Sequence, residues 1–204
     1  KAFEARLVAV RVHFDLQPEM VRKFDVQALP YLLFTDSYGT PLVSQHGILE
    51  GEDLAAVINA LPSMTEINRL DFALQKDKND MAALTAMAQA LRAAGFFESS
   101  NTFYTRLSKQ GALRRDAAAR ESVSFDMALN WIELRDGKQA SAILEKTLKD
   151  FPASSRRADL LLALGRAYAL DGNRDRARQV LSSLIRDFPS SPPAVQATAL
   201  LHSF

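Results

Sequence analysis

Leu164-Gly165-Arg166-Ala167-Tyr168, followed by Gly172, Ala177, Leu181 and Pro189, is the stretch on which the fold turns. A small residue at 165 lets two antiparallel helices touch, a large one at 168 fills the gap beside it, and Pro189 closes the second helix. The unit recurs. Lys149-Asp150-Phe151-Pro152-Ala153-Ser154-Ser155 is answered by Arg186-Asp187-Phe188-Pro189-Ser190-Ser191-Pro192, a period of 37 residues from proline to proline. Twelve residues before each proline stands an alanine, Ala140 and Ala177, where the second helix must lie close against the first. The middle unit keeps the small-then-aromatic pair Ala128 and Trp131, but Gly137 lies two residues later than Gly172 does in the last unit, leaving its register open by about half a turn.

A third copy is carried by Leu84, Met87-Ala88, Leu91, Gly95, Ser100, Tyr104 and Leu107, with Ser100 in place of the alanine and Ala112 in place of the closing proline. Repeats are thus expected at 81–114, 121–154 and 158–191, with a C-terminal capping helix from Val195 to Leu201. A lead-in helix is expected around Ile67, Leu70 and Phe72-Ala73-Leu74, as a connection over residues 63–80. One hairpin cannot bury its apolar face alone, so three stacked copies are near the minimum for a stable array. Apolar positions at helical spacing also build ordinary bundles. The repeated offset of glycine, alanine and proline is what separates a solenoid from a bundle.

This pattern resembles the tetratricopeptide repeat, whose usual period is about 34 residues, so each 37-residue unit carries close to one extra helical turn. The resemblance implies a chain that binds a protein or peptide rather than catalyses. It also implies that the first helix of each hairpin lines a concave face through repeat positions 2, 5, 9 and 12. These are Ala82, Thr85, Gln89 and Arg92, then Ser122, Phe125, Leu129 and Ile132, then Asp159, Leu162, Arg166 and Ala169. Gln89, Arg92, Phe125, Leu129, Asp159 and Arg166 are the candidate partner-binding residues. The groove lacks the lysine and asparagine set with which chaperone-binding members clamp a C-terminal carboxylate, so an extended peptide or a helix fits it better. The competing reading is that Phe125, Leu129 and Ile132 pack the superhelix.

The first sixty residues follow a different pattern. Leu7-Val8-Ala9-Val10-Arg11-Val12-His13-Phe14 is rich in β-branched residues, and Tyr31-Leu32-Leu33-Phe34 and Pro41-Leu42-Val43-Ser44 are further short apolar runs separated by a turn at Asp36-Ser37-Tyr38-Gly39. Pro18 opens a short helix with Met20, Val21 and Phe24 on one face, and an amphipathic helix runs from Leu54 to Leu61 and stops at Pro62. The expected order is strand, helix, strand, strand, helix.

That order, with Phe24-Asp25-Val26-Gln27-Ala28-Leu29-Pro30-Tyr31-Leu32-Leu33-Phe34, the Asp36-x-x-Gly39 turn and His46-Gly47, resembles the C-terminal half of the thioredoxin fold over residues 7–61. The resemblance implies a cis Leu29–Pro30 bond and pairing of the Leu29 backbone with a substrate peptide, which makes Leu29 and Pro30 candidate peptide-binding residues. It further allows Asp25 or Asp36 to assist proton transfer, although Asp36 suits a turn better. The chain has no cysteine, and thiol–disulfide exchange needs a thiolate, so it carries no redox nucleophile. Either a segment with Cys-x-x-Cys precedes the first strand or another chain completes the half-fold; the abrupt strand at the seventh residue favours the former.

The fold class expected is therefore α/β plus all-α: a partial thioredoxin-like domain over 1–62 and an α-helical repeat solenoid over 81–204. Lysine and arginine number 25 against 24 acidic residues, which removes any broad electrostatic case for nucleic acid. No apolar run reaches the roughly 18 residues of a membrane span. His13, His46 and His202 lie in separate elements with no metal-ligand spacing, and no cofactor or metal is expected. The Arg114-Arg115 and Arg156-Arg157 pairs read as solvated faces. The partner expected is a protein or peptide, and a homo-oligomer is compatible with the pattern. Two functions follow: a scaffold or chaperone-like client binder of the thioredoxin–repeat type, or the substrate-selecting part of a thiol–disulfide oxidoreductase. The Asp-Phe-Pro borders resemble bacterial cell-envelope assembly proteins, which leans towards a periplasmic location, with the cytoplasm as the alternative.

Overall fold

The computed structural model describes residues 8–35, 39, 41–47, 51–61 and 64–202. It divides into two compact units, residues 1–99 and 100–204. The division falls inside the stretch read as the first repeat.

In the N-terminal unit, α1 (Pro18–Lys23) leads to an antiparallel pair, β1 (Tyr31–Thr35) and β2 (Pro41–His46), then to α2 (Gly51–Ala60), α3 (Met64–Lys76) and α4 (Met81–Ala93). Tyr31 faces His46 and Phe34 faces Val43, and a register shift between Phe34 and Thr35 accommodates Pro41, which has no N–H to give to the ladder. Phe34, Val43, Ile58, Leu61, Ile67, Leu70, Leu74, Leu84, Met87 and Leu91 are buried. The Leu29–Pro30 bond is cis. The amphipathic helix begins at Gly51, three residues before its expected start at Leu54. Residues 36–38 of the expected Asp36 turn lie outside the described residues.

The first expected strand is corrected. Residues 8–13 form no strand, and Val8 and Val10 are 91% and 76% exposed. Alternating β-branched residues favour an extended chain, but a strand exists only where another backbone completes its ladder. The described sheet ends at two strands, and neither pairs with this run.

The C-terminal unit is helical. It takes in most of α5 (Phe97–Ser108), then α6 (Gly111–Arg115), α7 (Ala117–Glu133), α8 (Gly137–Asp150), α9 (Arg157–Leu170), α10 (Arg174–Asp187) and α11 (Pro192–Leu201). One core joins Phe125, Ala128, Ile132, Ala140, Leu144, Leu160, Leu164, Tyr168 and Ala177 across α7 to α10, and a second joins Leu161, Leu181, Leu184 and Ala197. Both predicted contact alanines, Ala140 and Ala177, are fully buried. At Gly165 a side-chain carbon would stand 2.4 Å from Leu181 Cδ2, so glycine there sets the α9–α10 separation. Pro152 and Pro189 follow the last residues of α8 and α10, and Ser191, at the second border, accepts the Ala194 N–H to start α11.

The open register of the middle unit is resolved by its turn. Gly95, Arg135 and Gly172 all have positive φ, at 82°, 63° and 76°. Each sits in the same pair of closing bonds: Gly95 N–H to Arg92 O with Phe96 N–H to Leu91 O, Arg135 to Ile132 with Asp136 to Trp131, and Gly172 to Ala169 with Asn173 to Tyr168. This is the Schellman closure, which places the residue after the helix cap in the left-handed region. Arg135, and not Gly137, is the equivalent of Gly172. Gly137 is instead the first residue of α8. Asp80, Asp136 and Asn173 cap the N-termini of α4, α8 and α10 by accepting the backbone N–H three residues on.

Ala112 does not close a helix as expected: α5 ends at Ser108, and Ala112 lies in the short α6, a helix the apolar periodicity did not reveal. Without proline, Lys109 and Gln110 turn the chain through N–H bonds to Arg106 O and Leu107 O, and Asp116 caps α7, whose first residue Ala117 lies four residues ahead of the expected repeat start at 121.

A side chain at Arg135 holds a conformation that costs an L-residue about 1–2 kcal/mol. Arg135→Gly should raise stability by about 1 kcal/mol in urea unfolding, and Gly172→Arg should lower it by a similar amount. An unchanged midpoint in both variants would contradict the assigned turn.

Candidate protein-binding surface

The candidate groove residues lie on α4, α7 and α9, the first helices of the hairpins. On α4, Ala82 and Gln89 are exposed while Thr85 and Arg92 are half-buried. Asp159 and Arg166 are exposed on α9, with Leu162 and Ala169 half-buried between and beyond them. Ser122 and Leu129 are half-buried on α7. On α7 and α9 the stripe is therefore mixed, with Asp159 and Arg166 exposed beside the half-buried Leu129, Leu162 and Ala169.

Phe125 and Ile132 require correction as partner-facing residues. Both are buried in the core that joins α7 to α9 and α10, where an aromatic ring removes most apolar area from water by packing against Leu160 and its neighbours. What covers Phe125 is Arg156, whose guanidinium lies 4.4 Å from the ring centroid. Arg156 is half-buried and is not a merely solvated cation. Its position just before α9, 31 residues after Phe125, gave no sequence signal, because the pairing depends on how two helices align. Arg157 is also half-buried and donates to Pro152 O, whereas Arg114 and Arg115 are exposed.

A second contact ties the same two helices further along: Arg166 Nη2 lies 3.8 Å from Glu133 Oε1, with both side chains roughly half exposed. Exposed pairs of this kind contribute about 0–1 kcal/mol. The two contacts ascend together, Phe125 to Glu133 on α7 and Arg156 to Arg166 on α9, so the helices run side by side in one direction.

On the other side of the hairpins, the buried Tyr168 donates its hydroxyl to Glu145 Oε1, and Arg176 lies over the Tyr168 ring and 3.6 Å from the same carboxylate. Leu29 is 62% exposed and Pro30 is exposed, so both are accessible to a ligand; the Pro30 carbonyl accepts the Gly47 N–H at 2.9 Å. Among the described residues no group of three or more histidine, aspartate or glutamate side chains is placed to hold a metal ion, and no helix is long and apolar enough to cross a membrane.

Residues 123–201 match the tetratricopeptide repeat family. The match runs from within α7 to the end of α11, the stretch that holds the closures at Arg135 and Gly172 and the buried Ala140 and Ala177, and it makes this segment similar to a tetratricopeptide array. A search of curated proteins found no match to the chain.

Burial, and next the bond to Glu145, push the Tyr168 phenol above its ordinary value of 10.0. The folded chain then holds this proton more tightly than the unfolded chain does, so the resulting stability is complete below pH 10.0 and is lost as pH rises through the raised value. In urea unfolding, Tyr168→Phe should lose less stability than wild type as pH rises above 10.0. Parallel profiles would show that the phenol's surroundings do not matter.

Proposed function

We propose that the chain is a protein-interaction module that holds a client or partner protein in the concave face of its repeats, as a scaffold or chaperone-like binder. Tetratricopeptide repeats generally mediate protein–protein interaction. The observation that carries the reading is the mixed stripe on α7 and α9, with apolar side chains for contact area flanked by Asp159 and Arg166 for direction and specificity; Gln89 and Arg92 on α4 are candidate contacts of the N-terminal unit. Residues 1–62 act in this proposal as a redox-inactive, thioredoxin-like element, with Leu29 and Pro30 as a second peptide contact. The succession α1, β1, β2, α2 and the exposure of Leu29 support that assignment.

The test is capture of partners from the native host on immobilised wild-type chain, repeated with Gln89, Arg92, Asp159 and Arg166 all changed to alanine. The variant should lose most captured partners while keeping its helical circular-dichroism signal, since truncation at interface anchors costs about 2 kcal/mol or more. Retention of every partner by this variant, together with their loss in Leu29→Asp, would place recognition at Leu29 and Pro30 instead.

A further inference from the structure

We propose that the face of α7 and α9 takes an extended acidic segment of the partner protein, with one carboxylate on Arg156 and a second on Arg166. This rests on the groove reading above and adds the chemistry of the occupant. Three arginines of the C-terminal unit illustrate why Arg156 is the anchor. Arg120 lies over Phe151 and also meets Asp150, and Arg176 lies over Tyr168 and also meets Glu145. Arg156 lies over Phe125 at 4.4 Å, the shortest of these stacking distances, yet among the described residues no carboxylate is within ion-pair distance of it.

Stacking fixes the plane of a guanidinium while leaving its N–H donors to the side, and a fixed fork is matched best by a carboxylate. Asp159, one turn into α9, is exposed and carries the opposite charge, but it does not pair with Arg156. Among the described residues Arg166 is held by the loose 3.8 Å contact to Glu133, which a bidentate carboxylate would displace. From the level of Phe125 to that of Glu133 is eight residues of α7, about 12 Å at 1.5 Å per residue. An extended chain covers that distance in about four residues, and the residue midway would lie over Leu129. The segment expected is therefore acidic, three residues with an apolar centre, acidic.

The probe is a fluorescein-labelled, C-terminally amidated peptide Gly-Ser-Glu-Thr-Leu-Thr-Glu-Ser-Gly, compared with its twin carrying glutamine for both glutamates. Fluorescence anisotropy should show the acidic peptide binding about tenfold more tightly than the twin, with the difference shrinking as salt rises. Arg156→Met, whose apolar stem still covers Phe125, should abolish most of that preference while the chain stays folded. Arg156→Lys, which keeps the charge and loses the fork, should retain part of it. Equal binding of the two peptides, an unchanged preference in Arg156→Met, or no binding of either would overturn the proposal. If both peptides bind equally and the four-alanine groove variant loses both, the acidic assignment falls and the groove reading stands. If neither binds, partner capture still decides the groove reading separately.

Discussion

The C-terminal unit depends on how closely the backbone of one hairpin can approach the next, and at Gly137 that approach leaves no room for a side chain. A side-chain carbon there would stand 2.4 Å from the carbonyl oxygen of Ala167 and 2.6 Å from the Asp171 nitrogen, distances that no L-residue tolerates against backbone. Gly137 opens α8, and the atoms it meets close α9, so one missing methyl group sets the spacing between the second and third hairpins. Within the third hairpin, Gly165 plays the corresponding part against Leu181. Close approach brings Ala128, Ala140, Ala167 and Ala177 into one packed core, where each lost contact would be felt because interiors are close-packed.

A polar contact does related work where α5 meets α7. Ser100 stands where the later repeats have Ala140 and Ala177, and its Oγ accepts from Asn130 Nδ2 at 2.9 Å, while the same amide donates to Asn101 Oδ1 at 2.8 Å. All three side chains are buried, and Asn101 Nδ2 has no partner of its own. Leaving such a donor unmet costs about 1–3 kcal/mol. Asn130 occupies a place that Ala167 fills with no polar group at all, so the knot gives up stability that the apolar version of the contact keeps. A buried polar network of this type restricts which residues can face one another, and here it ties α5 to a single register on α7.

The repeats were legible because unlike residues recur at equal offsets: a small residue at 128 and 165, an alanine at 140 and 177, a proline at 152 and 189. Their turn was not, because Arg135 holds a conformation that sequence reading assigns to glycine, and the nearby Gly137 offered a false substitute. The hairpin of β1 and β2 could be read from its two apolar runs, whereas residues 8–13 carry a strand pattern without a partner to complete it. At the candidate surface, sequence position placed Gln89, Asp159 and Arg166 on exposed helix faces but left open whether Phe125 turns inward. Which side of α7 is covered depends on the crossing of α9, and with it on Arg156, a contact between residues 31 apart.

The most direct measurement of this account is native-state hydrogen exchange on Gly137→Ala. The added methyl must push the start of α8 away from the end of α9, and overpacking of this kind costs about 1–3 kcal/mol. Amides in the last turn of α9, from Ala167 to Asp171, should then exchange faster than in wild type by about one to two orders of magnitude, and those of α8 with them. Unchanged exchange in both helices would contradict the claim that backbone contact at Gly137 holds the hairpins in register.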